Sequence, residues 1–320
     1  MSRRALPAMG RAALMAGALL TAGCGGGGDS ATGQTSTTMP GREPGGDTTS
    51  TTIAEGFGPA TLVGQVADPE VDESSGLAAS RRSPGLLWTH NDSGDEPRLY
   101  CLTGRGASCG TWTVAGADAF DWEDMAAGPG PAAGEHYLYL GDIGDNRSTR
   151  ANVVVYRVRE PVADAAAGGA AASTSAAEAL TLRYADGPHD AEALMAHPAT
   201  GDLYIVTKAL SSGGVYKAPA GTSLLTRVAG IDLGPGEAVT GGDISPDGRR
   251  VTLSTYRRGY ELSLPAGAGD LDTVWSQPPV PVDLGVRAQG ESVAYRLDGN
   301  GLFTTSEKLP VPMYLAERRR

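Results

Sequence analysis

Acidic side chains recur in closely spaced pairs along the sequence. Asp121 and Glu123 are two residues apart, and so are Asp190 and Glu192. In an extended strand, residues two apart point to the same side, so each pair can present two carboxylates to one space. Such pairs can hold a hard cation or act as general acid and base. Four glutamates lie where short apolar runs begin: Glu73, Glu123, Glu192 and Glu291.

A second group of polar side chains follows apolar segments that have the pattern of returning strands. Its members are His90, Asn91, Asp92, Asp142, Asp145, Asn146, Lys208, Arg257 and Lys308. An antiparallel strand returns to the face from which its partner started. The starts of first strands and the ends of second strands therefore meet, and the sequence predicts that both groups surround one opening.

The elements that would position these groups are repeated five times. Each repeat has a polar residue, a small apolar strand, a turn and a second strand, and the equivalent apolar positions are Leu77, Met125, Leu194, Ile244 and Val293. The intervals are 48, 69, 50 and 49 residues, and the long one contains an Ala/Gly/Ser insert, residues 163–178, predicted to be a loop or short helix. Repeats of about 50 residues with several short strands are typical of β-propeller blades.

The repeats predict an all-β domain, a single β-propeller of five four-stranded blades, with six blades as the alternative if a degenerate repeat is present. The fifth repeat ends before a fourth strand, whereas residues 61–66 form a spare strand ahead of the first repeat. Pairing of this strand with the last blade would close the ring and remove an exposed sheet edge. The two polar groups would then line one mouth of the central channel.

Crowded carboxylates repel one another, so they must share protons, pair with bases or hold a cation. Hard oxygen ligands on glycine-bearing loops favour calcium, and the sequence predicts a calcium ion at the mouth. A structural alternative is that Asn91-Asp92 and Asp145-Asn146 form Asx-turns that end their strands, while the glutamates cap backbone amides between blades.

Four segments carry a resemblance to a known group: 73–77, 88–94, 121–124 and 141–146. There the chain resembles secreted bacterial propellers of the calcium-dependent phosphotriesterase-like and phytase-like kind, and the resemblance covers most of residues 60–320. It implies a central calcium, held by channel-facing acids and an Asn, that polarises an ester or lactone. The residues that match are Glu73, Glu123, Asp145, Asn146, Glu192 and Glu291, of which Glu73, Asp145, Asn146 and Glu291 are the predicted metal ligands.

Three functions follow from this arrangement. The first is a ligand- or partner-binding module, in which the contacts would come from Asn91, Asp92, Asp142, Lys208, Arg257 and Lys308. The second is a metal-dependent phosphoester or lactone hydrolase, in which the cation activates water, the bases neutralise an anionic substrate and His90 carries a proton. The third is a glycoside hydrolase that uses paired channel carboxylates, Glu123 and Glu192, which would have to lie roughly 5–9 Å apart.

The N-terminus has the order of a bacterial export signal. Three arginines precede an apolar run, residues 12–20, that is too short to span a bilayer core of about 30 Å. Residues 20–24, Leu-Thr-Ala-Gly-Cys, resemble a lipobox, with Thr where leucine is usual. We expect residues 1–23 to be a cleaved signal peptide and Cys24 to carry a lipid that holds the protein at the outer face of the bacterial cell membrane.

Beyond the signal, composition separates a tether from a folded domain. Residues 24–59 are rich in Gly, Thr and Ser and lack the apolar side chains that a core needs, so they are predicted to be a flexible tether, and residues 60–320 form the propeller. Cys101 and Cys109 flank a seven-residue turn, and we expect a disulfide between them in an oxidising compartment. Two separate buried thiols are the alternative.

Charge limits the choice of partners. Removal of residues 1–23 takes away three arginines and no acid, which leaves 23 basic and 37 acidic residues and a net charge of −14. A chain of this charge is not expected to bind nucleic acid or to adhere electrostatically to anionic lipid. We expect a monomer whose contact with the membrane is the lipid on Cys24.

Overall fold

The computed structural model describes residues 56–166, 168–210 and 212–319, so the predicted signal peptide, Cys24 and the tether up to residue 55 lie outside the described residues. Within the described part, 21 strands are accompanied by one 3-10 helix, Leu271–Ser276. No helix in this part has the length and apolarity needed to cross a bilayer. The strands are β1 (Thr61–Gln65), β2 (Ser74–Ala79), β3 (Leu86–Asn91), β4 (Arg98–Thr103), β5 (Ser108–Thr113), β6 (Trp122–Pro129), β7 (His136–Asp142), β8 (Val153–Arg159), β9 (Ala171–Ser173), β10 (Glu178–Tyr184), β11 (Ala191–Ala196), β12 (Leu203–Thr207), β13 (Gly213–Ala218), β14 (Leu224–Ile231), β15 (Val239–Ile244), β16 (Arg250–Thr255), β17 (Gly259–Ser263), β18 (Val280–Val282), β19 (Ala294–Tyr295), β20 (Gly301–Thr304) and β21 (Pro312–Glu317).

Hydrogen bonding groups these strands into antiparallel units of four. The units are β2–β5, then β6–β8 with β10, then β11–β14, then β15–β18, and last β19–β21 with β1. The second and third units join into one sheet through a short parallel pairing of β10 with β14, at Arg183 with Leu224 and Tyr184 with Leu225. The first strands β2, β6, β11, β15 and β19 contact one another in cyclic order, and β19 returns to β2. This is the radial arrangement of a β-propeller, and the prediction of an all-β propeller is confirmed.

The N-terminal strand occupies the place predicted for it. β1 pairs antiparallel with β21, from Thr61 opposite Leu315 to Gln65 opposite Pro312. It thereby supplies the outer strand that the last unit lacks, and it covers the backbone edge that β21 would otherwise expose.

The predicted insert differs from expectation. Residues 171–173 form β9, a strand that lies parallel to β5 and makes the first unit five-stranded, so the loop-or-helix prediction is wrong for this stretch. Flanking backbone bonds continue the pairing, from Thr111 N to Ala170 O (3.1 Å) and from Thr174 N to Thr113 O (3.0 Å). The insert is drawn into the sheet because β5 offers a free edge and small side chains fit against it.

The cores lie between neighbouring units. Trp88 and Trp112 of the first unit pack with Trp122 of the second, and the rings of Trp88 and Trp112 meet edge to face with centroids 5.0 Å apart. Inner and second strands are buried on both faces, as in β12, whose five residues are all buried. This explains why those strands are continuous apolar runs, since alternation appears only where one face meets water.

Candidate functional site

A one-residue register shift near the start of the first strand recurs in four units. The additional residue falls between Ser74 and Leu77 in β2, and is Glu123 in β6, Glu192 in β11 and Thr240 in β15. Such bulges turn a side chain out of the regular pleat and are common beside functional sites. In the last unit Glu291 follows the isolated bridge between Gly290 and Ser306. The bulges explain how the sheet turns glutamates from separate units towards the axis.

The bulges also correct the alignment of the fourth repeat. Gly242 pairs with Leu253 two residues after the bulge at Thr240, just as Met125 pairs with Leu140 two residues after the bulge at Glu123. The equivalent of Met125 is therefore Gly242, whereas the sequence analysis placed it at Ile244. The fourth unit thus presents a threonine at the position where the second, third and fifth units present Glu123, Glu192 and Glu291.

Three carboxylates meet at the mouth. Asp92, Asp121 and Glu123 each offer an oxygen atom within 4.8 Å of the other two. Glu123 is buried, while the two aspartates are half-buried. Asp92 comes from the loop after β3, and the other two come from the start of β6, so the group joins the first and second units.

Backbone is pressed against two of these carboxylates. A Cβ atom built on Gly144 would lie 2.1 Å from Glu123 Oε1 and 2.4 Å from Asp121 Oδ2. The loop after β7 is fixed there, since Gly144 N donates to Asp121 O (3.2 Å) and Arg150 Nη1 donates to Gly144 O (2.7 Å). Only glycine leaves room for both carboxylates at this point.

The ring of charge continues around the axis. Glu192 pairs with Lys208, whose ammonium lies 5.8 Å from the centre of the Tyr256 ring. Glu291 is 3% exposed, and its Oε1 accepts from Gln289 Nε2 (3.1 Å), whereas its Oε2 has no hydrogen-bond partner among the described residues. We call Asp92, Asp121, Glu123, Glu192, Lys208, Glu291 and Glu307 together the acidic mouth.

The acidic mouth is strained electrostatically. Burial, with the charges of neighbouring acids, raises the pKa of Asp121 to about 6 and that of Glu307 to about 7. Burial also raises the pKa of Glu192 to about 7, against the opposing effect of Lys208. The pKa values of Glu123 and Glu291 are raised by burial and by Glu192. These shifts indicate that each of these carboxylates carries its charge less readily here than in water, so that a bound cation would be favourable.

The structure divides the predicted metal ligands. Glu291 belongs to the acidic mouth, and Glu73 adjoins it through a β-bridge with Glu307. Asp145 instead holds its own turn, accepting from Arg150 N (2.6 Å), and Asn146 is exposed. The oxygen atoms that lie closest together belong to Asp92, Asp121 and Glu123.

The predicted ligand-contacting residues are also divided. Asn91 is committed to the fold, because its side chain accepts from Glu73 N (3.3 Å) and donates to Glu70 O (2.6 Å). Asp142 is buried, pairs with Arg150 (2.7 Å) and accepts from a loop amide. Asn91 and Asp142 therefore serve the fold, whereas Asp92 and Lys208 line the mouth. The remaining predicted contacts, Arg257 and Lys308, are exposed near its rim.

His90 lies beneath the mouth rather than in it. It is 1% exposed, its Nδ1 is 2.8 Å from Asn91 O, and its ring meets Trp122 edge to face at 5.3 Å. A Cβ on Gly76 would lie 2.4 Å from its Nε2, so the ring fills the gap between the first two units. Burial lowers its pKa. This geometry favours a packing role over proton transfer to a ligand.

Asp124 has a structural role that its position next to Glu123 in the sequence does not reveal. Its Oδ2 accepts from Leu194 N and from Gly242 N, both at 3.0 Å, and its Oδ1 accepts from Met125 N (2.8 Å). One carboxylate therefore ties together the first strands of three units. Sequence alone does not separate it from Glu123, because the bulge that reverses its direction is a feature of pairing.

The cysteines are adjacent but unbonded. Cys101 and Cys109 are buried free thiols on the paired strands β4 and β5, where Cys101 lies opposite Gly110. The predicted disulfide is thus not present in the structure. Burial raises the pKa of both thiols, which favours their protonated form.

Comparisons with known proteins identify no family for the chain. No family model and no curated protein matches the chain. Among solved structures, it is similar to luciferin-regenerating enzyme (13% identity, 78% of this chain and 92% of that chain, TM-score 0.44). It is also similar to the Dos1 propeller (11%, 76% and 68%, 0.36) and to nidogen in a complex with laminin (13%, 73% and 72%, 0.42). At these values no residue or activity is carried over to this chain.

Proposed function

We propose that the protein is a lipid-anchored extracytoplasmic propeller whose acidic mouth binds a divalent cation, calcium by its donor chemistry, and serves as a ligand- or partner-binding site. The observation that carries this proposal is the group of three carboxylate oxygens within 4.8 Å, held against the backbone of Gly144. Calcium prefers several hard oxygen ligands at about 2.3–2.6 Å, which such a group can supply.

A second observation points to the same conclusion. Glu291 Oε2 is buried without a hydrogen-bond partner among the described residues, next to Glu192 and Glu307. A buried carboxylate oxygen without a partner is costly, on the order of 1–3 kcal/mol. Positive charge at the mouth would relieve that cost and the repulsion among the neighbouring acids.

The test is calcium titration by calorimetry of the purified chain and of Glu123→Gln, with Asp164→Asn as a matched control at an exposed loop. The proposal expects binding to the unaltered chain and the control, and at least tenfold weaker binding to Glu123→Gln. Calcium should also raise the melting temperature in a concentration-dependent manner. Equal heats for the chain and for Glu123→Gln would overturn the assignment.

A hydrolase is the second candidate, favoured by Glu192, whose pKa of about 7 would let it accept or donate a proton at neutral pH. When bound, a divalent ion supplies Lewis acidity and lowers the pKa of water. Because His90 is sealed beneath the mouth, Glu192 would be the proton carrier. Hydrolysis of a phosphotriester or lactone that EDTA abolishes and Glu192→Gln slows would support this reading, and activity unaffected by both would reject it.

The glycosidase alternative receives less support from the geometry. A retaining or inverting pair needs carboxyl groups roughly 5–9 Å apart, with room for a sugar between them. Of the predicted pair, Glu192 forms an ion pair with Lys208, and Glu123 lies within 4.8 Å of Asp92 and Asp121 in a group better suited to chelating one ion. We expect the purified chain to release no sugar from polysaccharides.

A further inference from the structure

Four exposed large apolar side chains lie in loops that precede first strands or follow second strands, which places them on the face of the acidic mouth. Val286 is 87% exposed, Leu210 73%, Phe120 70% and Leu309 54%. Each is close in the chain to a mouth residue: Phe120 precedes Asp121, Leu210 and Leu309 each come two residues after Lys208 and Glu307, and Val286 is five residues before Glu291. We call these four side chains the apolar rim.

The rim residues are attached to fixed parts of the site. The Arg150 guanidinium lies 5.0 Å from the centre of the Phe120 ring, and the same arginine holds the backbone of Gly144 against the carboxylates. Val286 adjoins Arg287, whose guanidinium donates to Ser254 Oγ (3.0 Å) and Thr304 Oγ1 (3.1 Å). Phe120 and Val286 therefore lie beside arginine side chains that are held in place by the fold.

Apolar side chains are unfavourable in contact with water, and a bound partner would remove them from it. Single exposed apolar residues are common, but these four come from different loops and share one face with a polar centre. Aromatic and other apolar side chains are enriched where proteins bind one another, and complementary charge beside them adds specificity.

The charge of the mouth identifies the partner. Six carboxylates and one lysine make up the acidic mouth, where Glu307 pairs with Glu73 through an isolated β-bridge and Asp92 N donates to Glu73 O (2.9 Å). A basic side chain brought in by a partner would find complementary charge there. The same negative charge repels anionic lipid, which favours a protein over a membrane surface.

We propose that the mouth face docks a protein segment that places a Lys or Arg side chain beside Glu307, while flanking apolar residues contact the apolar rim. The inference rests on the binding role proposed above and names the class of partner. It assigns the basic side chain to Glu307, which is not one of the three closest cation ligands.

The test selects a random twelve-residue peptide display library on the immobilised chain and measures the affinity of selected peptides by fluorescence polarisation. Selected peptides should carry Lys or Arg among apolar residues. Affinity should fall at least tenfold with Phe120→Ser combined with Leu210→Ser, and likewise with Glu307→Gln. It should be unchanged with Val162→Ser combined with Val280→Ser, a matched pair of exposed apolar positions (63% and 49%) away from the mouth.

Two outcomes would overturn the inference. One is a set of peptides without basic residues, or equal affinity for all variants. The other is co-sedimentation of the chain with phosphatidylcholine vesicles that depends on Phe120 and Leu210, which would assign the rim to a membrane. Calcium calorimetry on Leu210→Ser alone separates the two proposals, since Leu210 is not among the residues that hold the three carboxylates and this variant should retain calcium whether or not peptides bind.

Discussion

Substitution of Gly144 by Ala should weaken cation binding while leaving the fold intact. The added Cβ would lie 2.1 Å from Glu123 Oε1 and 2.4 Å from Asp121 Oδ2, whereas real Cβ contacts are essentially never below 3.0 Å. Both carboxylates must therefore retreat by about 0.6–0.9 Å or more. Calcium–oxygen distances vary only within about 2.3–2.6 Å, so such a displacement removes two of the three closest ligands.

The magnitude follows from the chemistry of those contacts. Loss of good geometry at two ligands should weaken calcium binding at least tenfold, which corresponds to about 1.4 kcal/mol. The free energy of unfolding should change less, because the clashing atoms are the ends of side chains and Gly144 does not have a positive φ. The variant is thus expected to fold and to lose the ion.

The assay is calorimetric titration with calcium, together with thermal melting in EDTA and in calcium. Gly269→Ala is the matched control, because a Cβ there meets nothing within 4 Å and its φ is not positive. Calcium affinity equal to that of the unaltered chain in Gly144→Ala would refute the placement of the ion. A large drop in melting temperature in EDTA would instead show that the glycine serves the fold.

Three further predictions concern charge and thiols. In EDTA, the free energy of unfolding should increase as pH falls from 8 to 5: burial raises the pKa of Glu192 from 4.5 to about 7, so the stability contributed by its protonated form is complete below about 4.5 and lost as pH rises through 7. Melting scans at four pH values test this, and a flat or opposite trend contradicts it. Lys208→Met should destabilise the chain by about 2 kcal/mol in denaturant titration, because it leaves Glu192 without its basic partner, and Lys208→Arg should restore most of the loss. Cys101 and Cys109 should resist a thiol reagent in the folded chain and both react after unfolding, and a failure to react after unfolding would show that they form the predicted disulfide.

The sequence was sufficient to predict the propeller because its evidence is periodic. Apolar strands, turn residues and a spare N-terminal strand recur at regular intervals, and the pairing of β1 with β21 follows from the missing strand at the other end. The insert was less predictable, since the small side chains of residues 171–173 favour no element, and the free edge of β5 decided the outcome.

The site was only partly predictable, because bulges and loop contacts determine which acids meet. Glu123 and Glu192 were identified from their spacing, but a pattern of types and intervals does not show that Asp124 turns away to bind backbone amides. Nor does it show that Asp145 accepts a hydrogen bond within its own turn while Asp121 lies next to Glu123. The glycine at 144 was the one signal in the motif that pointed to close approach by backbone.

Anomalous diffraction from a crystal of the chain grown with calcium, or with terbium in its place, tests the central claim most directly. The account predicts a single strong peak at the acidic mouth, within about 2.3–2.6 Å of an oxygen from each of Asp92, Asp121 and Glu123. No peak at that position, or a peak bound only by residues elsewhere on the surface, would contradict it.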